Sequence, residues 1–394
     1  MTLAITGGTC VTPWREIPDS LVLCDAGRIT WVGPRAQNEP PPGAERLDAA
    51  GLLVLPGLID THVHGSHGDD VMQDGVEGIR RISAAQLRYG TTAYLPSTVS
   101  ARPDELLRAV EACREAARPG TPGAEIAGIH VEGPFINRRK KGAQPEEGIR
   151  DPDADECRRL LDAADGLIRV MTLAPELPGA LDLIRFLHRE GVIASLGHSE
   201  ADYDTALAAI DAGATHATHL FNAMPPLHHR APGLAAACLI EPEIQAEVIA
   251  DGVHLAPEVV RLAVRAKGPE RIVLITDAMA AVGRPDGVYT LGRNKVIVRG
   301  DVCLLEDGVT IASSMLTMNF VVRNAQRFAS VPLTDAVRMA TLVPAQVCGC
   351  ADRKGSIEVG KDADLALLRL DFGVVATVLK GEIVYRAERP VPAS

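Results

Sequence analysis

Short apolar runs rich in β-branched residues alternate with stretches of helical period through the middle of this chain. Eight such runs can be read: "LLVLPGLIDTHVH", "TTAYLPST", "EIAGIHVEG", "IRVMTLAPE", "VIASLGHS", "THATHLFNAM", "AEVIADGVH" and "RIVLITDA". Their apolar residues follow one another with little interruption, as in a strand buried on both faces. Between most of them lie segments with apolar residues three and four apart, such as "PDELLRAVEACREAA", "ALDLIRFLHRE", "ADYDTALAAIDAG" and "PEVVRLAVRAKG". The alternation predicts a parallel sheet covered by helices. Eight repeats predict an α/β chain folded as a closed (β/α)₈ TIM-type barrel. An open doubly wound sheet would usually carry a Gly-rich nucleotide loop after its first strand, and none stands there. After Asp277 the chain reads as irregular to about Gly308, followed by two helix-like segments, "MLTMNFVVRNAQRFA" and "TDAVRMATLVPAQVCG".

Both chain ends differ from this middle. The start ("LAITGGTCVT", "SLVLCDAGRITWVG") and the tail ("GSIEVGKDADLALLRL", "VVATVLKGEIVYR") read as short strands and turns with no helical period. The simplest arrangement joins the two ends in one small β-sandwich domain, residues 1–53 plus 355–394, with the barrel at 54–354 inserted between them.

Composition narrows the function. At 46% hydrophobic and 23% charged residues, the chain has the make-up of a soluble globular protein. A net charge of −11 argues against general nucleic-acid binding, which needs a basic surface to displace counterions. No window has the length of an apolar membrane span. The start lacks a basic region followed by a long apolar core, and the eight cysteines are scattered, so a reducing cytoplasm is expected.

The chemistry lies where the runs end. Catalytic groups of such barrels sit at the C-terminal ends of the strands. Here those ends carry His62 and His64 (strand one), Glu132 (three), His198 (five), His219 (six) and Asp277 (eight). His62 and His64 are two apart on a strand and so share a face. Imidazoles and carboxylates without thiolates suit zinc, with iron or another divalent ion as alternatives. One ion needs three or four of these groups; all six could hold two if Glu132 bridges. A single histidine at a strand end is commonly structural, and an aspartate there commonly caps the next helix. Coincidence at five strand ends of one rim favours a metal site. A bound divalent ion would acidify water, and Asp277 could accept the proton and return it to a leaving group. His188 reads as a solvated helix residue and His67 as a polar loop residue. By strand parity His216 should face the helices. His130 shares parity with Glu132, so it could point inward behind the ligands or merely pack, and packing is the expectation.

"PGLIDTHVHG" resembles the first-strand signature of the amidohydrolase superfamily. "HVEGPFIN", "GHSEADY", "THATHLFNAMPPLHHRAPG", "IADGVHLAPE" and "LITDAM", in this order and spacing, resemble the N-acetylglucosamine-6-phosphate deacetylase family, over nearly the whole chain. The resemblance implies a barrel with a small β-sandwich, usually a homodimer, and hydrolysis of the acetamido group of a phosphorylated amino sugar. It implies that Glu132, His198 and His219 hold the main metal, that His62 and His64 hold a second with Glu132 shared, and that Asp277 is general base and acid. Some members lack the first-strand pair and work with one ion. It also implies substrate contacts from Ala143, Gln144, Asn222, Ala223, His254, Ile311, Ala312 and Ser313, and a phosphate contact from Arg230 of the neighbouring subunit.

Two positions depart from the family pattern. Gln144 stands where some members carry a histidine that polarises the acetyl carbonyl, and Ser313 stands where glycine is frequent. Two other readings remain open at this point. One is the same chemistry on N-acetylgalactosamine 6-phosphate; the other is a non-catalytic scaffold, which should have lost metal ligands.

Overall fold

The computed structural model describes residues 2–118 and 122–387; part of the 355–394 segment assigned above therefore lies outside the described residues. All eight apolar runs form strands. The barrel strands are Leu58–Val63, Thr91–Pro96, Ile129–Glu132, Ile168–Leu173, Ile193–Leu196, His216–Ala217, Gln245–Ile249 and Ile272–Ile275. Strands one and two pair in parallel, and strands three to eight form one parallel sheet. Two seams close the ring. The N–H of Thr98 donates to the His130 carbonyl at 3.0 Å, and that of Asp277 to the His62 carbonyl at 3.0 Å. Parallel bridges Ser97–His130 and Val63–Ala278 lie beside these bonds.

The strand period explains the layers. Val131, Met171 and Leu173 pack into the large cluster beneath the helices, whereas Val170, Val273 and Ile275 belong to a separate cluster with Val343 and Val347. The helices present matching stripes. Ala180–Arg189 buries Ala180, Leu183, Ile184 and Leu187, spaced three and four apart. Asp153 and Asp202 cap the N-termini of Ala154–Ala164 and Tyr203–Asp211, accepting from backbone N–H groups of the first turn.

The two ends meet. A four-stranded sheet of N-terminal strands faces a six-stranded sheet that combines Thr9–Val11, Glu16–Ile17 and Leu53–Pro56 with Leu365–Leu368, Val374–Leu379 and Glu382–Arg386. Leu3, Ile5, Val22, Val54, Leu365 and Val378 fill the space between them.

Two expectations need correction. "LLVLPGLIDTHVH" is two strands. Leu53–Pro56 pairs with Leu365–Leu368 of the small sandwich, so that domain runs past residue 53, and the first barrel strand begins at Leu58. Gly57 divides them, where an added Cβ would lie 2.0 Å from Thr92 Oγ1. The stretch after Asp277 is also ordered. Gly287–Leu291, Asn294–Arg299, Val302–Leu305 and Ile311–Ser314 form an antiparallel sheet beside the barrel mouth. Polar residues and turns interrupt its short strands, which hid their period.

Ion pairs fasten sandwich to barrel. Buried Lys354 places Nζ 3.0 Å from Glu125 Oε2 and also contacts Asp364, while Arg353 reaches Asp362 at 2.9 Å.

Candidate metal centre and active site

The six strand-end groups converge. Glu132 is the last residue of the third strand, and His198, His219 and Asp277 follow the fifth, sixth and eighth by two residues. Those three adopt left-handed backbone, with φ of 49°, 29° and 54°. Such φ values are costly for non-glycine residues and persist where surrounding structure enforces them. Here they turn the side chains inward over the barrel mouth.

The contacts define two half-sites that share one carboxylate. Glu132 Oε1 lies 3.0 Å from both His198 Nε2 and His219 Nε2. Glu132 Oε2 lies 3.3 Å from His64 Nε2 and 3.6 Å from His62 Nε2. Asp277 Oδ1 joins the second half at 3.2 Å from His64 Nε2. His62 and His64 face each other through Nε2 at 3.1 Å, and His198 and His219 at 3.0 Å.

Neighbouring acceptors set three of the four tautomers. His62 Nδ1 donates to Glu247 Oε2 (3.0 Å), His64 Nδ1 to the Ser97 carbonyl (3.1 Å) and His198 Nδ1 to the Lys140 carbonyl (2.8 Å). Each Nδ1 thus carries the proton, and each Nε2 turns a lone pair toward the centre. Lone pairs and carboxylate oxygens about 3 Å apart repel unless a cation lies among them. Two ligands bound at about 2.1 Å in a tetrahedral site lie roughly 3.4 Å apart, close to the spacings found. The donor set therefore fits one divalent ion in Glu132–His198–His219 and a second in His62–His64–Glu132, with Asp277 beside it.

Electrostatics point the same way. Burial opposes charge on His62, yet Glu247, Glu132 and Asp277 hold its pKa well above the usual imidazole value. Burial likewise opposes His64, but bonds to Asp277 and Glu132 raise it to about 9. Glu132 is held well below the carboxylate range despite burial, by His62, His198 and His219. Asp277 is lowered by His62 and His64 against the same burial. A field that draws protons onto imidazoles would also stabilise a divalent ion.

A cavity of about 260 Å³ opens above the centre. Its walls include Ala143, Gln144, Asn222, Ala223, His254, Ile311 and Ala312, so seven of the nine residues expected to meet substrate stand together. Two do not. Ser313 is buried behind Asp277, where its hydroxyl donates to the Asp277 carbonyl. Arg230 lies in an exposed loop, its Nη1 2.5 Å from His229 Nε2. Gln144 is committed to the centre itself: its amide donates to Glu132 Oε2, and its Oε1 accepts from the Ser100 N–H at 2.6 Å. His254 Nδ1 is bound by Asp251 Oδ2 at 2.7 Å, which turns Nε2 the other way. A second cavity, of about 420 Å³ and lined by Gln73, Arg108 and Arg293, carries none of the six groups.

His188 is exposed and His67 Nε2 meets Tyr89 Oη at 2.7 Å. His216 corrects the parity expectation: it is buried, with Nε2 3.4 Å from Glu247 Oε1. Strand six is regular over only two residues and the chain turns sharply at His219, so parity counted back from His219 fails. His130 packs edge-on to His62, and it also bonds the Thr61 carbonyl and Thr172 Oγ1. Sequence reasoning missed Glu247, Asp60 and Asp251. The signal for the first two was a carboxylate among the apolar residues of a strand, in "AEVI" and "GLIDTHVH". Asp60 accepts from Thr276 Oγ1 (2.5 Å) and from the backbone N–H groups of Thr276 and His62, tying the two strand ends together.

Residues 53–384 match the amidohydrolase family model. The N-acetylglucosamine-6-phosphate deacetylase of Bacillus subtilis is 40% identical over 95% of both chains. The N-acetylgalactosamine-6-phosphate deacetylase of Escherichia coli O157:H7 is 38% identical over 84% of this chain and 87% of its own length. A solved structure of a mutant N-acetyl-D-glucosamine-6-phosphate deacetylase from Mycobacterium smegmatis, in complex with N-acetyl-D-glucosamine-6-phosphate, superposes with a TM-score of 0.91 at 39% identity, covering 98% of this chain and 99% of that one.

Proposed function

This chain belongs to the amidohydrolase family, and from that premise we propose that it hydrolyses the N-acetyl group of N-acetyl-D-glucosamine 6-phosphate. The products are D-glucosamine 6-phosphate and acetate, as in amino-sugar catabolism. The observation that carries the reading is the pair of half-sites sharing Glu132 at the floor of the cavity. The substrate follows from the relatives similar to this chain over most of its length.

In this reading Glu132, His198 and His219 hold one divalent ion, and His62 and His64, with Glu132 and Asp277, hold a second. Zinc fits the nitrogen and oxygen donors. A bound ion supplies Lewis acidity to the acetyl carbonyl and to water. Asp277, ionised at neutral pH, takes the proton of the attacking water as the new C–O bond forms. It returns that proton to nitrogen as the C–N bond breaks, releasing acetate and the free amine. His254, held by Asp251, presents Nε2 to the sugar, and Asn222 and Ala223 line the same cavity. Gln144 positions Glu132 more than it polarises the carbonyl, since its amide already donates to that carboxylate.

Arg230 binds phosphate as a guanidinium fork. Its place outside the cavity of its own chain supports a homodimer in which it reaches the neighbouring site. No helix among the described residues is long and apolar enough to cross a membrane. Eight free, buried cysteines suit a cytoplasmic setting.

The relative from E. coli O157:H7 keeps a second reading in view, the same hydrolysis on N-acetylgalactosamine 6-phosphate. One assay separates them: acetate release by metal-loaded protein from both phosphates and from unphosphorylated N-acetylglucosamine. Turnover of N-acetylglucosamine 6-phosphate alone is the expected result. Equal turnover of both phosphates broadens the substrate. Turnover of none, with metal bound, rejects the proposed substrate.

A further inference from the structure

Glu247 lies on the seventh barrel strand and is fully buried. It does not line the cavity, and no step of the hydrolysis uses it. An uncompensated carboxylate in such a place would cost several kcal/mol, so its partners carry its meaning. Oε2 accepts from His62 Nδ1 at 3.0 Å and from the backbone N–H of His219 at 3.2 Å. Oε1 faces His216 Nε2 at 3.4 Å. One oxygen therefore holds a residue of each half-site.

We propose that Glu247 is a positioning residue that joins the two half-sites of the centre, fixing the His62 ring with Nε2 inward and the His219 backbone in its sharp turn. The proposal rests on the two-ion reading above. A carboxylate on Nδ1 orients an imidazole and raises the basicity of the other nitrogen, and losing such a partner typically costs 10–100-fold in metal affinity. His219 needs a tether for a different reason. Its Nδ1 has no hydrogen-bond partner among the described residues, so the ring is not held from behind as the other three are. The backbone bond to Glu247 pins its φ of 29° instead. His64 and His198 are held by the carbonyls of Ser97 and Lys140, on separate segments, so neither depends on Glu247.

Glu247→Gln tests this with the whole protein and Zn²⁺ as the probe. The amide keeps the shape and one acceptor oxygen but removes the charge. Zinc per chain and both affinities are measured by competition with a chelating dye, and the tautomer of His62 by ¹⁵N-histidine spectra. The expected result is two ions in the wild type and a second-ion affinity about 10–100-fold weaker in the variant. The thermal midpoint of the metal-free protein should stay near wild type. Both affinities within about twofold of wild type would overturn the proposal. A wild type that binds one ion rejects the two-ion reading separately, and the His62 spectrum then decides the tautomer. Should the variant fail to fold, the wild-type spectrum decides alone. A proton on His62 Nδ1 supports the role, and a ring protonated on Nε2 alone overturns it.

Discussion

Replacing Asp277 by Asn removes one proton acceptor and one charged oxygen from the His62–His64 half-site, and leaves the rest of the centre in place. The backbone around it is anchored independently: its N–H donates to the His62 carbonyl (3.0 Å), and its own carbonyl accepts from the Ser314 N–H (3.2 Å) and the Ser313 hydroxyl. Thr276, one residue earlier, is held by Asp60. Asn keeps the side-chain volume and one oxygen that can face His64, so the Glu132–His198–His219 half-site is untouched. What disappears is the ability to take a proton from water and hand it to the departing nitrogen. General acid–base catalysis contributes about 10²–10⁴-fold. Asp277 serves in both transfers, so the upper part of that range is expected, about 10⁴-fold in kcat or roughly 5 kcal/mol. KM should stay within about threefold, because Asp277 adds nothing to ground-state binding of the sugar in this scheme. The assay is steady-state acetate release, with metal content measured on the same samples. A variant that keeps the first ion and turns over within about tenfold of wild type would refute Asp277 as base and acid.

Other expectations follow from the same geometry. Arg230→Ala should raise KM for the phosphorylated sugar by about 10–100-fold, the worth of a charge-assisted bond, while kcat changes little. An unchanged KM would remove Arg230 from the site. Dialysis against a strong chelator should abolish turnover and lower the thermal midpoint. At zinc a thousandfold above Kd, binding adds about 4 kcal/mol to the folded state, so a midpoint that ignores zinc would contradict a centre built into the barrel. Acid should loosen the junction of the two domains. Burial alone would raise the Glu125 pKa, but Arg353 and Lys354 bring it down to about 2. A lowered carboxylate stabilises above its unfolded pKa of about 4.5 and loses that contribution as pH falls toward 2. The shift is worth about 3 kcal/mol. Urea unfolding of Glu125→Gln should therefore fall less between pH 5 and 3 than that of wild type (a range of about two units within the window). Parallel curves would refute the pairing.

Much of this was legible in the chain. Strands buried on both faces and helices buried on one leave different periods, and each period depends only on local covalent geometry. The eight runs and the ligand-type residues at their ends could be read for that reason. Parity failed where strands were too short to have one, as at His216–Ala217. The sheet after Asp277 escaped because its strands run only four to six residues between turns.

The order of elements and the chemical type of the centre were determined by the sequence itself: imidazoles and carboxylates, no thiolates, at the ends of parallel strands. Only tertiary structure decided how they share an ion. Glu132 meets His198 and His219 through one oxygen and His64 through the other, across separations of 66, 87 and 68 residues. Those distances depend on two closing seams, on left-handed turns at three strand ends and on a buried carboxylate at Glu247. None of these is a local property of the chain. Closure of the ring turns six separate side chains into one site.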